Sequence, residues 1–351
     1  MSSMSPELAA VREGEQIDAV ALAAYLYGKL EGVENGVTVR QFPGGHSNLT
    51  YLLEAGLREY VLRRPPLGPV APKAHDMARE YNVLGAVHPL FPQAPRAFLL
   101  CEDPTVIGAV FFVMERRRGL VLRREVPAPW ASDPDFGRRV SEAFVDCLAA
   151  LHAVDVSRVR LGKPAGFLER QVTGWAERWQ RAQTEALPQM EQLITWLRDR
   201  LPDSPPATVV HNDYKLDNLM LDSADPGRVE AVLDWEMATA GDPLVDLGCV
   251  MCYWPEAGDP LVRREALSSI TTLPGWFTRA QLVERYAQKT GRDVSGLGYY
   301  EVFGIFKIAV VLQQIYFRYQ RGQTRDERFS NFDERVRGLV EVAAAVAEKA
   351  G

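Results

Sequence analysis

The sequence is poor in cysteine and has no excess of positive charge. Only 4 of its 351 residues are cysteine, too few for the disulfide framework of a secreted protein of this length. Lysine and arginine number 40, aspartate and glutamate number 46, and the formal net charge is −6. A mildly acidic chain has no general electrostatic attraction to nucleic acid or to anionic membranes. We therefore expect neither as a partner.

Long uncharged apolar runs are also missing. None reaches about 18 residues, so we predict no membrane-spanning helix. The N-terminal residues are polar and acidic and lack the basic and apolar parts of a signal peptide, which favours a cytoplasmic protein. We expect the protein to be a monomer or a homodimer. Cys249 and Cys252 form a C-x-x-C pattern without two further zinc ligands at similar spacing. We interpret them as small apolar residues of a buried helix.

Three common catalytic motifs are absent. The chain has no G-x-x-x-x-G-K-[ST] phosphate loop, no G-x-S-x-G and no H-E-x-x-H. These absences argue against a P-loop nucleotidase, a serine hydrolase and a zinc protease.

The first third of the chain has the pattern of an antiparallel sheet. A helix is predicted over residues 17–30 and another over 73–87, after a proline-rich segment. Strands are predicted over 37–42, 49–55, 59–64, 97–101 and 106–115, with short turns between the first three.

The remainder of the chain has mainly helical periodicity. Helices are predicted over 134–153, 169–200 with a break at Pro188, 243–254, 278–290, 299–320 and 331–349, and a small β unit over 207–235. We therefore predict an α+β protein with a sheet-rich part, 1–115, and a helical part, 116–351. Clefts between such parts favour ligand binding.

The densest group of reactive side chains lies at residues 209–222 and 231–236. Asn218 and Asp234 are each eight residues from Pro226, so a turn centred there would pair the flanking strands and place both side chains at the open end of a hairpin. Asp213 precedes that end by five residues. Carboxylate and amide oxygens suit Mg²⁺ carried on phosphates. The alternative is an ordinary surface hairpin with polar ends.

The same segment resembles a known family. His211-Asn-Asp213-Tyr-Lys215-Leu-Asp-Asn218 is similar to the H-R-D-x-x-x-x-N catalytic loop of protein kinases, and Asp234-Trp-Glu stands where those proteins have D-F-G. The downstream Gly241-Asp-Pro-Leu-Val-Asp-Leu-Gly is closer to the aminoglycoside phosphotransferases, and within them to the kinase domain found fused to acyl-CoA dehydrogenases in some animal proteins. The resemblance spans about residues 35–320 and implies a protein-kinase-like, two-lobed fold.

The resemblance also implies roles for individual residues. Asp213 would orient the attacking hydroxyl and take its proton late, and Asn218 and Asp234 would hold Mg²⁺ on the phosphates of ATP or GTP. Lys215 would touch the transferred phosphoryl group, although an exposed lysine is an equal alternative. His211 is expected to brace the loop backbone rather than to react.

On the nucleotide side, the family pattern predicts a lysine–glutamate pair. Here Arg63 and Glu80 match those positions, with Arg64 as a rival for the first. Arginine keeps the charge and can grip phosphate with two nitrogens. The loop Gly44, Gly45, His46, Ser47 and Asn48 lies where kinases cover the phosphates, and the adenine edge is expected near Glu115 to Arg117.

The acceptor is less defined by the sequence. Arg318, Arg321, Arg325 and Arg328 favour an anionic acceptor, although a solvated helix end is the simpler interpretation. Tyr253, Trp254 and Lys307 could line its pocket or belong to the core, and Asp246 is expected to be a buried brace for the catalytic loop.

An active small-molecule kinase, acting on a hydroxyacyl-CoA, another metabolite or an antibiotic, is the leading hypothesis. A nucleotide-binding pseudokinase is the alternative.

Overall fold

An antiparallel five-stranded sheet occupies the first part of the chain. In the computed structural model, which describes residues 8–42, 48–67, 75–265, 269–324 and 326–350, the strands follow the order β1-β2-β3-β5-β4. Their bounds are β1 Thr38–Gln41, β2 Leu49–Ala55, β3 Arg58–Arg64, β4 Ala97–Cys101 and β5 Phe111–Glu115. Two helices accompany the sheet, α1 Ala19–Leu26 and α2 Met77–Val87.

The hairpin between β2 and β3 shows why the sheet forms here. Ala55 pairs with Arg58 across a two-residue loop. Gly56 in that loop has a φ of 59°, a left-handed conformation that costs glycine little. Tyr51 and Leu53 alternate along β2 and are fully buried in the core, where α1 contributes its own apolar face.

The helix predicted over 17–30 and the strand predicted over 106–115 are shorter than the sequence pattern indicated. The predicted helix over 17–30 ends at Leu26, and Gly28 follows in the left-handed region with φ 70°. The predicted strand over 106–115 begins only at Phe111, because Gly108 donates its N–H to Pro104 O at 2.7 Å and turns the chain with φ 80°.

The second part of the chain is mainly helical. Its strands are β6 Leu120–Val121, β7 Thr208–Val210, β8 Leu219–Leu221, β9 Val229–Val232 and β10 Thr239–Gly241. Its helices are α3 Phe136–His152, α4 Phe167–Ala182, α5 Pro188–Asp199, α6 Pro243–Tyr253, α7 Leu261–Glu265, α8 Arg279–Thr290, α9 Leu297–Gln320 and α10 Phe332–Ala350. The sequence pattern missed β6, β10 and α7, which have at most five residues each. Pro188 breaks the predicted long helix because it starts a new one, where its missing N–H costs nothing.

The hairpin predicted around Pro226 is present. Strand β8 lies between β6 and β9 in a three-stranded sheet. Asp222 N–H donates to Arg228 O at 2.9 Å and closes the turn. A separate pair, β7 with β10, is antiparallel and aligns Thr208 with Gly241.

The chain divides into two compact units. The first comprises residues 1–118 and 230–237, and the second comprises 119–229 and 238–351. The chain therefore returns to the first unit for eight residues, among them Asp234. The division predicted at residues 115 and 116 stays a prediction about domains.

Helix α9 forms the core of the second unit. Among the described helices it is long and apolar enough to cross a membrane, but 67% of its apolar stretch is buried inside the protein. It packs against α6, α10 and α4. This burial is typical of a core helix of a globular protein, which passes the same test of length and composition.

Candidate active site

The predicted catalytic loop begins at His211, directly after β7, and is held in place through its backbone. Asp246 on α6 accepts the N–H groups of His211 and Asn212, each at 2.6 Å, and its side chain is fully buried. Asn212 has a left-handed φ of 64°, which asparagine tolerates better than most residues. From the other side, Lys307 on α9 donates to the Asn212 carbonyl. The prediction that Asp246 braces this loop is confirmed.

Two buried histidines complete this support. His152 Nε2 lies 3.2 Å from Asp246 Oδ2, and its Nδ1 lies 2.7 Å from the Tyr286 hydroxyl. Burial acts to raise the pKa of Asp246, but its hydrogen bond with His152, together with the charges of His152 and His211 and the His211 N–H, outweighs that effect and lowers the pKa. His211 Nδ1 accepts the N–H of Asp213 at 3.3 Å, so His211 braces the loop, as predicted.

The Asp213 carboxylate is surrounded by donors. Lys215 Nζ lies 2.7 Å from Oδ2, and Asn218 Nδ2 donates to the same oxygen at 3.0 Å and to the Asp213 carbonyl at 2.9 Å. The Tyr253 hydroxyl donates to Oδ1 at 2.9 Å. The sequence pattern named Tyr253 only as a pocket or core residue and missed this contact. With 17% of its side chain exposed, Asp213 remains accessible.

Electrostatics keep Asp213 ionised. Burial acts to raise the pKa of its carboxyl group, but the charges of Lys215 and Lys307, the hydrogen bond from Lys215 and the charge of His211 together outweigh burial and hold the pKa below its ordinary value. Asp213 is therefore a carboxylate at neutral pH and can accept a hydrogen bond from a hydroxyl group. It is too weak a base to remove an alcohol proton in advance.

Lys307 is the more unusual of these cations. Only 4% of its surface is exposed, and its ammonium group lies 5.6 Å from the centre of the Trp175 ring. Among the described residues, no carboxylate lies within ion-pair distance of the Lys307 ammonium group. Its hydrogen bond to the Asn212 carbonyl directs the charge toward the catalytic loop.

In the first unit, Arg63 joins two carboxylates. Its Nη1 lies 2.7 Å from Glu80 Oε1 and its Nη2 lies 3.2 Å from Asp234 Oδ1. The rival Arg64 instead donates to the Ile107 carbonyl at 3.2 Å. The structure therefore selects Arg63 as the partner of Glu80.

The structure also gives the contacts of other residues that the sequence predicted to bind the nucleotide. Asn48 donates to Glu236 Oε2 at 3.0 Å, while Gly44, Gly45, His46 and Ser47 lie outside the described residues. Glu115 pairs with Arg117 at 2.9 Å, and its N–H donates to the Arg96 carbonyl at 2.8 Å. Glu236, four residues after the end of β9, had no assigned role in the sequence pattern.

The arginines proposed for the acceptor have local partners. Arg321 stacks on Phe317 at 4.7 Å, and Arg328 pairs with Asp326 at 2.5 Å. Arg318 lies in the last turn of α9, and Arg325 lies outside the described residues. These contacts fit the solvated helix end better than an anion-binding cluster.

The predicted metal residues offer hard oxygen ligands. Asn218 uses its amide nitrogen for both bonds to Asp213, which leaves its carbonyl oxygen as an acceptor. Asp234 is 29% exposed and has a left-handed φ of 68°. Over the described ranges, no three His, Cys, Asp or Glu side chains gather as a metal cage. Each of these oxygens is a hard ligand of the kind that suits Mg²⁺ held largely by phosphate oxygens and waters.

Comparison with known proteins identifies the family. A model of the phosphotransferase enzyme family, the APH family, matches residues 38–282. The chain belongs to this family. Human acyl-CoA dehydrogenase family member 11 is 32% identical over 355 residues, which cover 98% of this chain and 45% of that protein. The chain thus spans less than half the length of this family relative.

Solved structures agree with the family assignment. A crystal structure from Ralstonia eutropha, assigned to the aminoglycoside phosphotransferases, is 31% identical with a TM-score of 0.79, and the match covers 95% of this chain and 99% of that one. An aminoglycoside phosphotransferase in complex with AMP-PNP and hygromycin B has a TM-score of 0.60 at 17% identity, with 93% and 99% covered. The predicted kinase-like α+β fold of the family is confirmed.

Proposed function

We propose that this protein transfers the γ-phosphoryl group of ATP or GTP to a hydroxyl group of a small molecule. One observation carries the proposal: Asp213 is an accessible carboxylate, kept ionised by Lys215, on a loop that Asp246 fixes through two backbone hydrogen bonds. That arrangement suits a group that orients an acceptor hydroxyl and receives its proton late in the transfer.

The other residues have supporting roles in this proposal. Lys215 helps to keep the carboxylate ionised and would meet the charge of a transferred phosphoryl group. Arg63, anchored on Glu80 by Nη1, would bind nucleotide phosphate oxygens. Asn218 and Asp234 would hold Mg²⁺, which supplies positive charge that offsets the charge of the phosphates.

For the acceptor we favour a hydroxyacyl thioester of coenzyme A. The support is the family relative named as an acyl-CoA dehydrogenase, in which a segment similar to this chain makes up 45% of the protein. Domains joined in one chain often act on related substrates. The solved complex with hygromycin B makes an antibiotic the alternative acceptor to include in any assay.

The first test is replacement of the catalytic carboxylate. We expect Asp213→Asn to keep Mg²⁺-dependent thermal stabilisation by ATP or GTP, since Asp213 is assigned to the acceptor and not to the nucleotide. Transfer of ³²P to hydroxyacyl-CoA thioesters or aminoglycosides should fall at least about 10²-fold, the lower range for a general acid–base group.

Asp199→Asn is a suitable control because Asp199 is an exposed residue that ends α5. It should leave both measurements unchanged. Equal turnover in wild type and Asp213→Asn would remove Asp213 from the mechanism. Nucleotide binding by a wild type that phosphorylates no acceptor would favour the pseudokinase, and absence of nucleotide binding would contradict both.

A further inference from the structure

Helix α4 carries an arginine that lies on a tryptophan beside an open position. Arg178 is three residues after Trp175 and four after Gly174, so it adjoins both on the helix surface. Side chains of a helix lean toward its N-terminus, and the Arg178 guanidinium carbon lies 4.2 Å from the centre of the Trp175 ring. A Cβ added to Gly174 would meet nothing within 4 Å. This face of α4 therefore has room for a ligand beside Arg178.

The charge of Arg178 is not neutralised by an acidic side chain. Arg178 is partly buried, and it makes no ion pair or hydrogen bond with any other described residue. The neighbouring carboxylate, Glu177, lies 3.7 Å from Arg181 instead. Burial, followed by the charge of Arg181, lowers the pKa of Arg178, although an arginine stays protonated at neutral pH. Arg178 is thus a cation with its donors available.

Lys307 brings a second positive charge to the same ring. Its Nζ lies 5.6 Å from the centre of the Trp175 ring and donates to the carbonyl of Asn212, the residue before Asp213. Trp175 is 4% exposed, and within the described part of the chain its buried Nε1–H has no hydrogen-bond acceptor. Most buried N–H groups have one. Trp175, Arg178 and Lys307, here called the α4 cation cluster, therefore combine positive charge with unused donors.

We propose that the α4 cation cluster binds an anionic group of the acceptor, either a carboxylate or a phosphate. The identification of this ligand as the acceptor rests on the proposed kinase function. Arg178 is the direct partner, because a guanidinium can donate to two anion oxygens at once. Lys307, which already donates to Asn212, contributes its charge. Its contact with the catalytic loop joins the cluster to the segment that carries Asp213.

The cluster favours one of the two acceptor classes considered above. Aminoglycosides such as hygromycin B carry amino groups that are protonated at neutral pH, and Arg178 and Lys307 would repel them. A hydroxyacyl thioester of coenzyme A carries phosphates, and a free hydroxy acid carries a carboxylate. We therefore expect an anionic acceptor.

The first test is binding of two small anions without nucleotide. The probe 3-hydroxybutyrate presents a carboxylate, and 4′-phosphopantetheine presents a phosphate without the adenine nucleotide of coenzyme A. Isothermal titration calorimetry should show that wild type binds at least one of them. Arg178→Gln should raise the Kd of that probe about tenfold or more, as expected for the loss of a charge-assisted hydrogen bond. The probe that binds identifies the anion as a carboxylate or a phosphate.

Two further variants separate anion binding from packing and from net charge. Arg178→Lys keeps the positive charge and should restore part of the affinity that Arg178→Gln loses. Arg181→Gln removes a positive charge from an exposed position of the same helix and should leave the Kd unchanged.

A kinetic measurement assigns the anion to the acceptor. In ³²P transfer to a hydroxyacyl-CoA thioester, Arg178→Gln should raise the KM of the thioester about tenfold. The KM of ATP or GTP and kcat should stay unchanged, since Arg178 is assigned to neither the nucleotide nor the reacting atoms. A loss of packing alone would not raise one KM selectively.

The outcomes separate this inference from the function on which it rests. Equal Kd values in wild type and Arg178→Gln, or a wild type that binds neither probe, would overturn the anion site. A wild type that binds a probe through Arg178 but transfers no ³²P to any acceptor would overturn the kinase function, while the anion site would stand.

Discussion

At position 63, arginine stands where the family resemblance predicts lysine. Its two terminal nitrogens reach different carboxylates, Glu80 at 2.7 Å and Asp234 at 3.2 Å. A lysine has one nitrogen and would have to share it between them. The planar guanidinium therefore ties α2 to the segment that carries Asp234.

Glu80 gives a pH-dependent prediction at the scale of one residue. Burial raises the pKa of Glu80 to about 7 from the ordinary 4.5, more than the charge of Arg63 lowers it. The folded state then binds more protons than the unfolded state between these pH values, so the contribution of Glu80 to stability falls as pH rises from about 4.5 to about 7. Relative to Glu80→Gln, wild type should lose on the order of 3 kcal/mol of unfolding free energy over this interval.

Urea unfolding of both proteins at several pH values measures this difference. Glu341→Gln, at an exposed position of α10, is the matched control and should follow wild type throughout. Parallel curves for wild type and Glu80→Gln would show that the buried carboxyl group titrates as it does in the unfolded chain.

At the scale of elements, α6 and α9 pack with their backbones almost in contact. A Cβ added to Gly248 would lie 2.3 Å from the Tyr300 carbonyl oxygen, and one added to Gly304 would lie 2.8 Å from the Gly248 carbonyl oxygen. Both helices carry site residues, Asp246 and Tyr253 on α6 and Lys307 on α9. The close packing thus sets the distance between supports of the catalytic loop.

Alanine substitutions separate this packing from helix propensity. Gly248→Ala should destabilise the protein by about 3 kcal/mol, because backbone cannot move aside as a flexible side chain can. Gly174→Ala in α4 should instead stabilise it by about 0.5–1 kcal/mol, since nothing lies within 4 Å of the added methyl group. Thermal unfolding measures the change in stability of both variants. Equal shifts in Tm for Gly248→Ala and Gly174→Ala would contradict the close approach of the α6 and α9 backbones.

For the whole molecule, the return of residues 230–237 to the first unit is the main organising feature. Trp235 is 1% exposed and its ring centre lies 6.0 Å from that of Phe91. Val232 N–H donates to the Gln93 carbonyl at 2.8 Å. The first unit therefore depends on a segment that follows it by more than a hundred residues in the chain.

A fragment experiment tests that dependence. Residues 8–118 alone should lack cooperative thermal unfolding, because they lose the buried Trp235 and leave Glu80 with fewer partners. The same residues joined to 230–237 by a flexible linker should recover a cooperative transition, and Trp235→Ala in the joined form should remove it. A cooperative transition in residues 8–118 alone would show that the segment is dispensable for folding.

The sequence by itself determined most strands, most helices and the order of reactive residues in the catalytic segment. Those features depend on local periodicity and on turn residues such as Gly56, which act over a few neighbouring positions. The hairpin around Pro226 was predictable for the same reason, since its two strands are close in the chain.

Only the tertiary structure decided which side chains meet across long separations. Tyr253 follows Asp213 by 40 residues and Lys307 follows Asn212 by 95, and no periodicity links them. The choice between Arg63 and Arg64 was undecided because neighbouring residues of a strand point to opposite faces. The packing of α2, which brings Glu80 to one face, selects Arg63, and packing is a property of the folded chain as a whole.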